Sequence, residues 1–222
     1  MNAAALQYTV REPKNPTNGQ TPAIIVLHGY GANELDLIPV ATAASDTHKV
    51  ISLRAPIELP WGGYAWYHLE QSIQGLRADL ESRLRSETLV MEALPTLIEQ
   101  EGLDADRIVL MGFSQGSAMC YSLIARHDLG TIGITLQGVA AMSGYIPRDA
   151  LEPLAAKNLN GLPVFLSHGE YDELIPFISL DESRTQLTRA GANVTADIYE
   201  IGHGIDEDVL GDLRRWFSKY TK

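Results

Sequence analysis

Seven short apolar runs recur along the chain, separated by longer segments whose apolar residues have helical spacing. Each run is bounded by Gly, Pro, Asp or Asn, and several are apolar at consecutive positions, as buried parallel strands are. The seven runs are residues 6–10, 23–27, 50–53, 108–111, 138–142, 164–167 and 194–199. This alternation predicts an α/β fold, a mainly parallel central sheet with helices on both faces, in which functional groups gather beyond the carboxyl ends of the strands.

Two helical segments can be placed from the spacing of their apolar residues. The C-terminal one begins near Asp206, Glu207 and Asp208, acidic residues that suit the positive end of a helix dipole. Its predicted buried face consists of Ile205, Val209, Leu213, Trp216, Phe217 and Tyr220. The other segment runs from residue 81 to about residue 100, and Pro95 inside it is expected to kink or divide the helix.

The length and charge of the chain limit the classes of function that it can serve. A chain of 222 residues is long enough for one domain, residues 1–222, with a substantial core. A formal net charge of −11 without a cluster of Lys and Arg repels a polyanion, so nucleic acid is not an expected partner. No basic segment leads into a long apolar stretch at the N-terminus, and no apolar run reaches membrane-spanning length. We expect a soluble, cytoplasmic protein without an integral membrane segment.

Cysteine and histidine spacing gives no sign of a metal site. Cys120 is the one cysteine and has no partner for an internal disulfide, so we expect it to serve as a small buried residue. None of the six histidines forms a pair with metal-ligand spacing. His28 and His168 each precede a glycine at a predicted strand end, where we expect them to bond neighbouring loops rather than to react.

A Gly-x-Ser-x-Gly sequence, residues 112–116, directly follows the apolar run that ends at residue 111. A strand before the serine and a helix after it are the context of a nucleophile elbow, a tight turn that raises the serine hydroxyl above the sheet edge. The two glycines leave room for this turn, and the amides at the helix N-terminus face the reacting oxygen. Ser114 is therefore the candidate nucleophile.

A serine hydroxyl needs a base to take its proton and a third group to orient that base. In this architecture the partners follow the serine in the order Asp or Glu, then His, on loops after late strands. Asp172 and His203 fit this order, and the glycines on both sides of His203 permit a sharp turn. Glu170 and Glu173 are rival carboxylates in the same loop as Asp172.

Stabilisation of an oxyanion requires two preorganised N–H donors. The backbone amide of Gln115 supplies one of them at the start of the predicted helix. The other is expected in the loop after an early strand, where residues 27–31 read Leu-His-Gly-Tyr-Gly. We assign the second donor to the amide of Tyr30.

Together these motifs resemble those of the carboxylesterase/phospholipase family of small α/β-hydrolases, which includes acyl-protein thioesterases and lysophospholipases. The resemblance covers nearly the whole chain. Beside residues 27–31 and 112–116, it is carried by Arg-Ala-Pro at 54–56, Ala-Trp-Tyr at 65–67, Asp-Arg-Ile at 106–108, His-Gly at 168–169 with Asp172, and Gly-His-Gly at 202–204.

The resemblance implies an α/β-hydrolase fold with a triad of Ser114, Asp172 and His203. It implies an oxyanion hole formed by the amides of Tyr30 and Gln115, in agreement with the independent assignment above. It also implies that the enzyme uses no metal and no organic cofactor. A homodimer is suggested by the resemblance alone.

The segment from residue 61 to residue 80 stands where the resemblance places a loop beside an acyl pocket. The candidate substrate-binding residues in it are Leu69, Ile73, Leu76 and Trp66. For Trp66 the alternative is that burial of its ring anchors the loop next to two glycines.

The sequence therefore predicts a serine hydrolase that cleaves a carboxylic ester, a thioester or a lysophospholipid through an acyl-enzyme. Three substrate classes stay open: small soluble esters, acylated proteins and lysophospholipids, and the depth of the acyl pocket separates them. An alternative of a different class is a catalytically idle hydrolase fold that binds a ligand or serves as a scaffold, because a fold does not determine its function.

Overall fold

The structure is a computed structural model that describes residues 6–72 and 75–221, apart from the side chains of residues 71, 72, 75 and 76. Its strands are β1 (Tyr8–Arg11), β2 (Thr21–Leu27), β3 (Lys49–Leu53), β4 (Ile57–Glu58), β5 (Tyr64–Ala65), β6 (Leu69–Ser72), β7 (Gly75–Ala78), β8 (Leu103–Phe113), β9 (Leu136–Met142), β10 (Pro163–Gly169) and β11 (Asn193–Tyr199). Its helices are α1 (Ile38–Ala44), α2 (Leu80–Glu101), α3 (Gln115–Arg126), α4 (Leu151–Ala155), α5 (Ile178–Arg189) and α6 (Glu207–Tyr220), with 3-10 turns at Leu129–Ile132 and Arg148–Ala150.

Seven strands form the central sheet, in the order β1-β3-β2-β8-β9-β10-β11. β1 is antiparallel to β3, and every other neighbouring pair in this sheet is parallel. Each of the seven predicted apolar runs overlaps one of these strands. The predicted mainly parallel sheet is therefore confirmed.

The strand order reverses between β2 and β8, which lie side by side with Leu27 opposite Gly112. After β2 the chain moves to β3 on one side, whereas after β8 it moves to β9 on the other. The loops that leave these two strands therefore diverge, and in open α/β sheets ligands bind at such a point, beyond the carboxyl ends of the strands. The Tyr30 loop and Ser114 both lie at this point of the sheet.

Helices cover both faces of the sheet, which explains why the strands are apolar at consecutive positions. Along β2, Ile25 and Leu27 belong to a core with buried residues of α2, α3, α4 and α5. Ile24 and Val26 point the other way and belong to a core with residues of α1 and α6. The sheet thus divides the interior into two apolar layers and holds its own strands rigidly between them.

Helix α6 confirms the prediction for the C-terminal segment. Asp206 caps it, because its side chain accepts a 2.9 Å hydrogen bond from the amide of Val209. The buried residues of the helix are Val209, Leu213, Trp216 and Phe217. They pack against the sheet and close the second apolar layer.

Helix α2 is continuous for 22 residues, so the expectation that Pro95 divides it is wrong. Pro95 lies on the exposed side of the helix, where water can bond the carbonyl that a proline leaves without an N–H partner. The ends of the helix are capped at both sides. Asp79 accepts a 2.7 Å hydrogen bond from the amide of Ser82, and Gly102 adopts a left-handed φ of 62°.

The sequence does not predict two small hairpins, in which β4 pairs with β5 and β6 pairs with β7. Strands of two to four residues leave a pattern too short to be recognised. Ile73, a candidate substrate-binding residue, lies between β6 and β7 and outside the described residues.

Candidate active site

Ser114 occupies the turn between β8 and α3, at the point of the sheet where the strand order reverses. Its backbone has a φ of 54° and a ψ of −115°, a combination that costs a residue with a side chain about 1–3 kcal/mol. The surrounding structure stabilises it, since the Ser114 amide donates a 2.9 Å hydrogen bond to Met142 O at the end of β9. The predicted strand, tight turn and helix around Ser114 are present.

The glycines on either side of Ser114 let the turn fold tightly on itself and pack directly against β2. A Cβ atom on Gly112 would overlap with the carbonyl oxygen of Gly116, and one on Gly116 would overlap with that of Leu27. A larger residue at either position must displace backbone. The Gly-x-Ser-x-Gly pattern is therefore a requirement of close packing as well as of the turn.

Asp172 is the carboxylate that meets His203. Its side chain is fully buried, and its Oδ2 lies 2.7 Å from His203 Nδ1 in a hydrogen bond. Oδ1 accepts two further hydrogen bonds of 2.9 Å each, from the amides of Leu174 and Ile175. The rival carboxylates, at positions 170 and 173, are both exposed.

The Asp172 carboxylate is held in its ionised form. Burial acts to raise its pKa, but hydrogen bonds from the Ile175 amide, from His203 and from the Leu174 amide outweigh burial, and the pKa of Asp172 lies below its ordinary value. An ionised acceptor at Nδ1 places the ring proton of His203 on that nitrogen. The other ring nitrogen, Nε2, is then free to accept a proton.

Backbone contacts bring the loop of Asp172 and the loop of His203 together. The Tyr171 amide donates a 3.0 Å hydrogen bond to Ile201 O, and a Cβ atom on Gly169 would overlap with Gly202 O. The His203 ring packs against the ring of Phe113, the residue before Ser114, with 4.9 Å between the centroids. Among the described residues His203 makes no hydrogen bond to Ser114 Oγ, and contacts of this kind often close only when substrate binds.

The backbone around Tyr30 lies next to the turn of Ser114. A Cβ atom on Gly29 would be 3.6 Å from Ser114 Cβ. Within the described part of the chain the amides of Tyr30 and Gln115 donate no hydrogen bond. The Gly31 amide, by contrast, donates a 2.9 Å hydrogen bond to Tyr64 O. Two N–H groups without an acceptor among the described residues therefore lie beside Ser114, one on the loop after β2 and one at the first residue of α3.

The side chain of Gln115 has a role that sequence reasoning missed. Its Oε1 accepts a 2.7 Å hydrogen bond from the Trp66 amide, and its Nε2 donates one of 2.8 Å to Tyr67 O. The Gln115 side chain is itself buried. It therefore ties the segment after β5 to the first residue of α3.

Trp66 is completely buried, and its ring N–H donates a 2.9 Å hydrogen bond to His28 O. No surface of its side chain is left for a substrate, which corrects the prediction that Trp66 binds one. The structure favours the alternative, in which the ring anchors the loop. The sequence carries no signal for this choice, because burial depends on the distant residues that pack around the ring.

Of the other candidate pocket residues, Leu69 has a described side chain and Leu76 does not. Leu69 is half-buried and packs against the larger apolar core. Leu76 lies in β7, but its side chain is outside the described residues. An open cavity of about 540 Å³ lies beside the Tyr30 loop, and neither Leu69 nor Trp66 lines it. Its lining residues are Tyr30, Gly31, Ala32, Asn33, Leu35 and Asp36.

His28 bonds neighbouring loops, as predicted. Its Nε2 accepts a 3.0 Å hydrogen bond from the Ala55 amide, and its Nδ1 lies 2.7 Å from Gly29 O. Because a carbonyl oxygen can only accept, Nδ1 carries the proton. Burial lowers the pKa of His28, so the ring is neutral and fixes the loop that leads to Tyr30.

Metal and membrane features can be assessed for the described residues only. No three His, Cys, Asp or Glu residues among them are grouped so that they could hold a metal ion. None of the helices in residues 6–72 and 75–221 has the length and apolar character needed to span a bilayer.

Cys120 is buried in α3, and burial raises the pKa of its thiol, which confirms that it is a packing residue.

Comparison with known proteins identifies the family of this chain. The family model described as phospholipase/carboxylesterase matches residues 9–221. Acyl-protein thioesterase 1 of Yarrowia lipolytica is 27% identical over an alignment 225 residues long, which covers 91% of this chain and 93% of that protein.

Solved structures agree at the level of the fold. The Bacillus cereus carboxylesterase superposes with a TM-score of 0.80 at 24% identity, covering 98% of this chain and 95% of that one. The carboxylesterase of Mesorhizobium loti gives a TM-score of 0.79 at 22% identity, covering 98% and 97% of the two chains. The chain therefore belongs to the phospholipase/carboxylesterase family and has an α/β-hydrolase fold, as the motifs in its sequence indicate.

Proposed function

We propose that this chain hydrolyses carboxylic esters or thioesters through an acyl-enzyme, with Ser114 as nucleophile, His203 as base and Asp172 as the residue that orients the base. The observation that carries the proposal is the 2.7 Å hydrogen bond between His203 and the buried Asp172, on loops packed beside the strained turn of Ser114. Family membership supports it, and relatives named carboxylesterase and acyl-protein thioesterase favour these two classes of substrate.

In the first half of the reaction, Ser114 Oγ attacks the carbonyl carbon of the substrate while His203 Nε2 takes the hydroxyl proton. The carbonyl oxygen becomes an oxyanion, which the amides of Tyr30 and Gln115 stabilise. His203 then gives the proton to the leaving alcohol or thiol as its bond to the carbonyl carbon breaks. The acyl group stays on Ser114 as an ester.

In the second half, His203 takes a proton from water, and the resulting hydroxide adds to the carbonyl carbon of the acyl-enzyme. The same two amides stabilise the second oxyanion. His203 returns the proton to Ser114 Oγ as the bond to the acyl group breaks, and the carboxylic acid leaves. The enzyme is restored without a metal or an organic cofactor, as the family resemblance implies.

Covalent labelling tests the nucleophile. We expect a fluorophosphonate probe to label the protein with one equivalent and mass spectrometry to place the adduct on Ser114. The variant Ser114→Ala is expected to remain unlabelled, whereas Ser218→Ala, which changes an exposed serine of α6, labels like the wild type. A folded wild-type protein that takes no label would instead favour the idle hydrolase fold that binds a ligand.

The class of substrate is tested by rates on a series of esters and thioesters with increasing acyl length. We propose that the open cavity beside Tyr30 receives part of the substrate, because Tyr30, whose amide is one of the two proposed oxyanion donors, is among the residues that line it. A rate that peaks at long acyl chains supports acylated proteins or lysophospholipids. A peak at acetate or butyrate supports small soluble esters.

The proposal extends to organisation and location. We propose one domain per chain over residues 1–222 and a cytoplasmic location, as the length and the apolar pattern of the sequence suggest, and a homodimer, which the family resemblance suggests. Light scattering of the purified protein tests the dimer, and fractionation of the source cells tests the location.

A further inference from the structure

His168 lies at the end of β10 and is almost completely buried. Its Nε2 lies 2.9 Å from Ile175 O in a hydrogen bond. The same nitrogen lies 3.2 Å from Asp172 Oδ2, the oxygen that bonds His203. One imidazole nitrogen therefore touches both the carboxylate of the proposed triad and the turn that carries it.

The hydrogen bond to Ile175 determines where the proton of this ring lies. A carbonyl oxygen can only accept, so Nε2 of His168 donates and carries the proton. Nδ1 is buried and has no partner in the described part of the chain. An apolar side chain of the same shape would avoid that unpaired nitrogen, so packing alone does not account for a histidine at this position.

Two hydrogen bonds and one close contact connect His168, Ile175 and the Asp172 carboxylate. Ile175 is engaged at both its polar groups, since its carbonyl accepts from His168 while its amide donates to Asp172 Oδ1 at 2.9 Å. The donor on His168 also faces the negative charge on Oδ2. Removal of His168 would leave Ile175 O without its donor and Oδ2 without this contact, so the turn would loosen and the carboxylate would shift relative to His203.

We propose that His168 is a positioning residue, which holds the Asp172 carboxylate in the orientation that aligns the ring of His203. This inference rests on the proposed function of Ser114, Asp172 and His203. His168 itself transfers no proton and forms no bond to the substrate. It acts only through Asp172.

A matched pair of variants tests this role. His168→Met and His168→Gln have side chains of similar length, but only the glutamine amide can donate to Ile175 O and Asp172 Oδ2 from the place of Nε2. For His168→Met we expect kcat to fall about 10- to 100-fold, the cost of a small misplacement, with KM changed less than about threefold. His168→Gln is expected to recover most of the lost kcat. Equal kcat values for the two variants would overturn the proposal.

A double-mutant cycle separates a positioning role from a general structural one. In the background of Asp172→Asn, His168→Met should cause almost no further loss of kcat, because its effect passes through the ionised carboxylate. Losses that multiply would show that His168 acts independently of Asp172 and would contradict the inference. Thermal unfolding measurements check that each variant is folded. If His168→Met does not fold, His168→Asn takes its place in both comparisons, because the shorter asparagine side chain does not carry its amide to the place of Nε2.

The activity of Ser114→Ala, measured beside that of His168→Met, distinguishes this inference from the proposed function. Activity retained in Ser114→Ala refutes the proposed function itself. Loss of activity in Ser114→Ala together with wild-type kcat in His168→Met refutes only the role of His168.

Discussion

The two halves of the candidate site are built in different ways. Ser114 is held by backbone: a strained φ, a hydrogen bond from its amide to Met142 O, and close packing of Gly112 against Gly116 and of Gly116 against β2. The ring of His203 is oriented by side chains, namely the buried Asp172 and the ring of Phe113. The position of the nucleophile is therefore a property of the fold, whereas the alignment of the base depends on a few hydrogen bonds. Changes to the backbone around Ser114 should mainly reduce stability, and changes to the side chains that orient His203 should mainly reduce the rate.

Among the changes that test this comparison, the largest effect is expected from Asp172→Asn. The asparagine oxygen can still accept from the amides of Leu174 and Ile175, but its NH2 group would face His203 Nδ1 and favour the wrong tautomer of the ring. We expect kcat to fall about 10⁴-fold with the fold intact. Glu173→Gln, which changes the exposed rival in the same loop, is the control and should leave kcat near wild type.

On the nucleophile side, Gly116→Ala should act mainly on folding. Its new Cβ atom would overlap with Leu27 O, and we expect the free energy of unfolding to fall by about 3 kcal/mol in urea titrations. Gly211→Ala in α6 is the matched control, since a Cβ atom there meets only the end of Arg215. The control should stabilise the protein by about 0.5–1 kcal/mol. An unchanged stability for Gly116→Ala would remove the distinction between the two halves.

A smaller effect is expected for Trp66, in the segment that the Gln115 side chain ties to the start of α3. Trp66→Phe keeps a buried ring but removes the N–H that bonds His28 O, so stability should fall by about 1 kcal/mol. Because Trp66 has no exposed surface, KM should stay within about twofold of wild type. Trp61→Phe, at an exposed position, should change neither quantity. A large rise in KM for Trp66→Phe would restore the role in substrate binding.

The smallest effect concerns the pH dependence of stability. The pKa of Asp172 is lowered in the folded protein, so the stabilisation that its ionised form provides is fully present above its ordinary value of 3.8. This stabilisation is lost as the pH falls through the folded pKa. The difference in free energy of unfolding between wild type and Asp172→Asn should therefore be greatest near neutral pH and shrink in acid. A difference that does not vary with pH would show that Asp172 is not ionised in the fold.

The contrast between the two halves also explains what the sequence could predict. Apolar runs bounded by turn residues locate the seven strands, and local spacing places the elbow around Ser114, because both depend on neighbours in the chain. The choice of Asp172 over Glu170 and Glu173 depends on which carboxylate the loop buries, and local sequence leaves it open.

Contacts between segments that are distant in the chain could not be predicted from the sequence. The side chain of Gln115 bonds the backbone of Trp66 and Tyr67, almost fifty positions earlier in the chain. The burial of Trp66 and the exposure of Pro95 likewise follow from which faces the helices and strands turn inward. Periodicity predicts the elements, whereas tertiary packing decides these roles.

Turnover by His203→Ala tests the central claim most directly, since the claim is that this imidazole activates Ser114. The measurement is kcat on an ester that the wild type cleaves, with thermal unfolding as the check on folding and His68→Ala, at an exposed position, as the control. We expect kcat to fall by about 10⁴-fold or more in His203→Ala and to stay near wild type in the control. Near-normal turnover by a folded His203→Ala protein would contradict the account.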